Sequence, residues 1–190
     1  MESLRGVKKM DAQTNVTSTG QKIRTVDITV TAAMAALVFL GTYIFKIPTI
    51  SGYVHLGDCM ILLTVALFGM KKGAIAGAIG GGLSDFIGGY FYWVVPTLLI
   101  KCMWAIVMGL IMHKVLKDKK GSFLIGAIAG GVLHIIAYTL VRVVLYGGKT
   151  AIIEIPALAF QTGAGIVIGF VIYILLKKSG VAGRLSGMVK

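Results

Sequence analysis

His134, Tyr138 and Arg142 are spaced i, i+4 and i+8 in an otherwise apolar stretch. On an α-helix that spacing puts an imidazole, a phenol and a guanidinium on one face. Lys101 and Trp104 share a face at i, i+3, and Glu154 and Gln161 share one at i, i+7. Ionisable groups inside long apolar runs are costly and are functional candidates by default. Together these residue types can stack on a flat ring and surround its substituents with donors and acceptors. The alternative is structural: the charges Asp85, Lys101, Arg142 and Glu154 sum to zero and could pair, with Asp85 and Arg142 as one such pair. Lys101 and Arg142 could also reach the headgroups, and His134 could make an ordinary interhelical hydrogen bond.

The elements that must position these groups are membrane helices. The chain has 190 residues, 57% hydrophobic and 14% charged, whereas soluble domains are about half apolar and a quarter charged. A spanning helix needs about 20 mostly apolar residues. Six candidates follow: Asp27–Phe45, Gly57–Met70 (short unless packed inside a bundle), Gly73–Tyr92, Val94–Met112, Gly121–Leu145 and Ile152–Leu176. Lys71 and Lys72 are read as the joint between the second and third. The expectation is an all-α membrane protein of six transmembrane helices. Residues 1–26 form an N-terminal tail, 27–178 the transmembrane substrate-binding domain and 179–190 a C-terminal tail.

Net charge is +12, which in a soluble protein would suggest nucleic acid. Here fifteen of the nineteen basic residues fall in the N-terminal tail, at Lys71–Lys72, in the run Lys114–Lys120 and from Lys177 onward, all on one side of a six-span arrangement. Positive charge favours the cytoplasm. Both termini are therefore expected inside, in the inner or plasma membrane of a prokaryote, with the bilayer and not nucleic acid as partner. The spans place Asp85 about 18 Å from the inner end of its helix, and Lys101, Arg142, Glu154 and Gln161 also in the outer half. The residues from Lys46 to Asp58 make a long outer loop that could fold back as a lid and bring Tyr53 and His55 onto a ligand. Trp93, Tyr90 and Tyr92 read as an interfacial aromatic belt.

Small residues repeat at i+4: Gly73, Gly77 and Gly81, then Gly126 and Gly130, then Gly165 and Gly169. In lipid such stripes mark close helix packing. Ala32 and Ala36 form a small face on the first span, open to internal packing or to a partner helix. No catalytic residue, metal site or cofactor is assigned. Gly148-Lys149-Thr150 resembles the end of a phosphate loop, but the first glycine position is Val143. Cys59 and Cys102 both lie in apolar runs and read as free thiols.

The size with six spans, the patch Ala32-Ala33-Met34-Ala35-Ala36, the loop PTISGYVHLGD from Pro48 to Asp58 and the string PTLLIK from Pro96 to Lys101 carry a resemblance. From about Thr25 to Lys178 the chain resembles substrate-binding S components of energy-coupling factor (ECF) vitamin transporters. It looks most like the branch that takes up riboflavin, pyridoxine or hydroxymethylpyrimidine. The resemblance implies a transport subunit and not an enzyme, with ATP hydrolysis done by partners. Such a subunit captures a vitamin from outside with high affinity and works with a transmembrane T subunit and two cytoplasmic ATPases. The Ala-x-x-x-Ala face, here Ala32 and Ala36, would meet the T subunit. Tyr53, His55, Lys101, Trp104, His134, Tyr138, Glu154 and Gln161 are the expected ligand contacts. A small ring such as pyridoxine or hydroxymethylpyrimidine is favoured over riboflavin, because the outer-half faces carry bulky side chains. Two competing classes remain. A membrane-embedded enzyme would need His134 with Glu154 or Asp85 as its catalytic pair. A stand-alone secondary transporter would show inverted repeats and broken helices, neither of which is evident.

Overall fold

The computed structural model describes residues 24–188. Six helices pack into one bundle: α1 (Thr25–Tyr43), α2 (Asp58–Phe68), α3 (Met70–Ile87), α4 (Phe91–Gly109), α5 (Ser122–Tyr146) and α6 (Gly148–Lys178). A π-helical turn, Leu110–Val115, extends α4, and a short α7 (Val181–Gly187) follows Gly180. Between α1 and α2, β1 (Ile47–Pro48) and β2 (Tyr53–Val54) pair antiparallel, Ile47 opposite Val54. Four of the helices, α1, α4 with its extension, α5 and α6, are long and apolar enough to cross a membrane.

The expected N-terminal tail lies outside the described residues except for its last three, and Thr25 and Val26 already belong to α1. The C-terminal segment read as a tail contains α7. Lys71 and Lys72 do not separate two helices; they sit in the first turn of α3, and Gly69 alone makes the break. Gly69 has φ +91°, a conformation that L side chains rarely adopt, so glycine there lets two helices reverse within one residue.

Close backbone approach holds the bundle together, as the glycine spacing predicts. A Cβ on Gly77 would press on Ile61 at 3.0 Å, and one on Gly73 would run into Val65. These contacts make α2 and α3 an antiparallel pair. Gly80 meets Ala35 and Val38 of α1, Gly81 meets Thr97 of α4, and Gly165 meets Asp58 of α2. Eight of the eleven residues of α2 are buried, so it is the axis of the bundle. Around it lies a core of Val38, Ile61, Leu62, Val65, Trp104, Met108 and Phe123.

The basic groups gather at one end. Lys72 bridges to Asp27 in the first turn of α1 at 3.1 Å. His113 reaches the Val65 carbonyl at 3.0 Å, and the Arg24 guanidinium donates to the Met188 carbonyl. The first and last described turns of the chain therefore lie together. The β-hairpin and the turns at Gly88–Tyr90 and Gly147 close the opposite end.

Candidate functional site

The site sits under the β-hairpin, at the end away from the termini. Two residues, Ile50 and Ser51, make the tip, and the Thr49 amide donates to the Gly52 carbonyl at 3.0 Å. The polar backbone of the tip is satisfied by side chains. Glu154 of α6 accepts from the Ser51 amide and from the Thr49 hydroxyl at 3.3 Å. The same carboxylate meets Arg142 Nε of α5 at 2.9 Å, and Nε also donates to Ser51 Oγ at 3.2 Å. Trp93 of α4 donates its indole N–H to the Ser51 carbonyl at 3.3 Å. The hairpin tip is thus tied to three helices.

The other side of the hairpin is held by rings. Lys46 Nζ lies 4.5 Å from the ring centres of both Tyr43 and Tyr53 and 5.4 Å from that of Tyr90, and it donates to the Ser84 carbonyl at 3.3 Å. Burial lowers the Lys46 pKa, and the nearby Asp85 charge opposes that. The Tyr53 hydroxyl donates to Asp85 Oδ1. Burial first, then the Asp85 charge, pushes this phenol well above its ordinary value, so it stays a donor.

Beneath the hairpin the side chains leave a small cavity of about 30 Å³. Trp93 and Tyr138 form a stacked wall, ring centres 5.5 Å apart and 27° from parallel. Tyr53 and His55 descend from the hairpin, and Asp85, Arg142 and Gln161 complete the polar lining. The His55 ring accepts from the Gly57 amide at Nδ1, and its Nε2 lies 3.4 Å from the Gln161 side-chain nitrogen. Burial pushes the His55 pKa down to about 4, so the ring is neutral at physiological pH.

Behind the cavity runs a buried polar chain. Lys101 pairs with Asp58, the first residue of α2, and both are almost fully withdrawn from solvent. Gln161 donates to the other Asp58 oxygen at 2.7 Å. Lys101 also reaches His134 Nε2 at 3.1 Å, and His134 Nδ1 lies 3.0 Å from the Thr162 hydroxyl, which donates to the Leu158 carbonyl. Since Lys101 can only donate, Nε2 accepts and Nδ1 carries the proton. Every group in this chain has a partner.

The eight expected contacts therefore divide. Tyr53, His55, Tyr138 and Gln161 line the cavity; Lys101, Trp104, His134 and Glu154 do not. Lys101 and His134 are used by Asp58 and Thr162, and Glu154 by the hairpin and Arg142. Trp104 has no exposed surface, gives its N–H to the Ala127 carbonyl at 3.2 Å, and packs against Gly130 and His134. The expected Asp85–Arg142 pair is not formed: Arg142 bonds to Glu154, and Asp85 to Tyr53. Nor does His134 meet Glu154 or Asp85, the pairs an enzyme would need. Trp93 is not part of an interfacial belt, being 5% exposed, whereas Tyr92 is 81% exposed. Asp58 read as a loop residue, yet it is the ion-pair partner of Lys101. Its signal in the sequence is an acidic residue just ahead of an apolar run, a common helix start. Ala32 and Ala36 are exposed on α1. Cys59 and Cys102 are free.

The bundle closes a backbone hairpin over a small cavity lined by aromatic and hydrogen-bonding side chains. The family model described as the ECF-type riboflavin transporter, S component, matches residues 22–178. The chain belongs to that family, and is a vitamin-transport subunit and not an enzyme. It is also similar to a Pyrococcus woesei protein described as an uncharacterized protein in the gap 3' region. The two are 36% identical over 132 residues, which is 70% of this chain and 87% of the relative.

Proposed function

We propose that this chain captures a flat heteroaromatic vitamin or precursor in the cavity under the hairpin, between the Trp93–Tyr138 wall and the Tyr53–His55 face. The observation that carries this reading is the cavity itself: aromatic faces and hydrogen-bonding groups under a backbone hairpin tied to three helices. The side chains of the lining leave a gap of only about 30 Å³, on the order of a water molecule, so the hairpin moves aside to admit a ligand, and a single ring, pyridoxine or hydroxymethylpyrimidine, is favoured over a larger one. Riboflavin is the second reading, supported by the description of the family. Tyr53, His55, Tyr138 and Gln161 contact the ligand, while Lys101, His134, Trp104 and Glu154 hold the walls in place.

In this reading six helices span the plasma membrane of a prokaryote, with the basic end and both termini in the cytoplasm and the hairpin outside. The exposed Ala32–Ala36 face of α1 receives the coupling T subunit, and two ATPases supply the energy. Native mass spectrometry of the detergent-purified protein, followed by titration with riboflavin, pyridoxine and hydroxymethylpyrimidine, tests the capture role. Nanomolar binding of one compound identifies the cargo. Binding of none removes this substrate class.

A further inference from the structure

Three residues that line the cavity have a buried polar atom with no partner at hydrogen-bond geometry: Thr42 Oγ1, which is packed against Gly57, and the charged groups Asp85 Oδ2, whose carboxylate has the Thr97 hydroxyl nearby, and Arg142 Nη1. Both charged side chains are nearly closed to solvent, Asp85 4% and Arg142 5% exposed. Leaving such a group unsatisfied costs about 1–3 kcal/mol, and more when it is charged. Each residue is anchored through its other atoms. Asp85 Oδ1 accepts from Tyr53, and Arg142 Nε is bound to Glu154 and Ser51. Anchoring fixes where the unpaired atom is presented. The charges agree. Of the three buried carboxylates among the described residues, Asp58 and Glu154 have salt bridges and Asp85 has none. The two cations that act on Asp85 are both held elsewhere, Lys101 by Asp58 and His134, and Lys46 by three tyrosine rings and the Ser84 carbonyl.

We infer that Asp85 and Arg142 read the polarity of the ligand. The ring presents a hydrogen-bond donor, a ring N–H, an amino group or a hydroxyl, to Asp85 Oδ2, and an acceptor to Arg142 Nη1. This rests on the capture role proposed above and sharpens it. The cargo must carry a donor and an acceptor on separate edges, and an analogue with the donor blocked is excluded because it leaves Asp85 buried and unpaired.

The test compares wild type and Asp85→Asn by thermal melting in detergent, alone and with riboflavin, pyridoxine or hydroxymethylpyrimidine. Asparagine keeps the size of the side chain and puts a donor where the unpaired acceptor stood. The expected result is an unliganded melting temperature that is unchanged or higher, together with at least a tenfold loss of affinity for the compound wild type binds. Arg142→Lys, which keeps the charge but not the fork, weakens the same compound. Equal affinity of Asp85→Asn and wild type overturns the inference and leaves the capture role intact. So does a lower unliganded melting temperature with undiminished binding by the folded fraction, which makes Asp85 structural. Wild type that binds none of the three removes the capture role, and this inference with it.

Discussion

Asp58 and Lys101 are both withdrawn from water, so their charges depend on each other. Breaking a buried pair from one side leaves the other charge uncompensated, which costs about 3–5 kcal/mol, whereas replacing both with apolar groups of similar volume is often neutral. Asp58→Asn is therefore expected to lower the detergent melting temperature sharply, and Asp58→Leu with Lys101→Met to recover most of the loss. Recovery separates this pair from a ligand contact, which would not be rescued by a second apolar change. At this scale the sequence is half legible. Helical spacing puts His134, Tyr138 and Arg142 on one face, and they do share it. Which members of that face reach the cavity depends on depth and on which neighbour claims each polar atom. His134 is claimed by Lys101 and Thr162, Arg142 keeps one nitrogen unclaimed, and only Tyr138 shows its ring. Spacing along one helix carries no information on how that helix is rotated against another, so the pairs Asp58–Lys101 and Arg142–Glu154 could not be chosen over Asp85–Arg142.

The hairpin covers the cavity, and His55 gives it a pH dependence. The ring has an ordinary value of 6.5, lowered to about 4 by burial in the closed hairpin. Opening returns the ring to water. Above about pH 6.5 neither form is protonated, and the closed form keeps its full stability. As pH falls from 6.5 towards 4, the open form takes up a proton first, and the closed form loses stability by linkage. At pH 5 the loss is on the order of 1–2 kcal/mol, taking about 1.4 kcal/mol for each unit and allowing for the half-buried ring. Melting temperature is expected to fall between pH 7.5 and pH 5, and His55→Gln to flatten that fall. The sequence shows that residues 46–58 are too long for a simple turn and carry ring-bearing side chains. It does not show a two-stranded hairpin, because the strands are two residues each and the pairing relies on Glu154, more than a hundred positions away.

For the whole molecule, the exposed small face of α1 and the closed cavity lie on different surfaces. Ala32 and Ala36 are exposed, and neither lines the cavity. Ala32→Leu and Ala36→Leu are expected to leave vitamin affinity within twofold of wild type. In cells that supply the T subunit and ATPases, the same changes are expected to reduce uptake at least tenfold. Parallel loss of affinity and uptake would place the face inside the fold instead. The all-helical build is legible in composition, because the cost of burying backbone in lipid leaves few alternatives. The length of α2 is not, since its outer turns are replaced by the hairpin.

That short helix bears on how the protein enters the membrane in the first place. At eleven residues α2 is about 16 Å long, roughly half the thickness of the hydrocarbon layer. Its leading residue is Asp58, whose cationic partner Lys101 is synthesised forty-three positions later. A ribosome adding about 5–20 residues per second leaves that carboxylate without its partner for roughly two to nine seconds. Until α4 is made, the helix that becomes the innermost of the bundle carries Asp58 without the cation it is paired with in the finished structure.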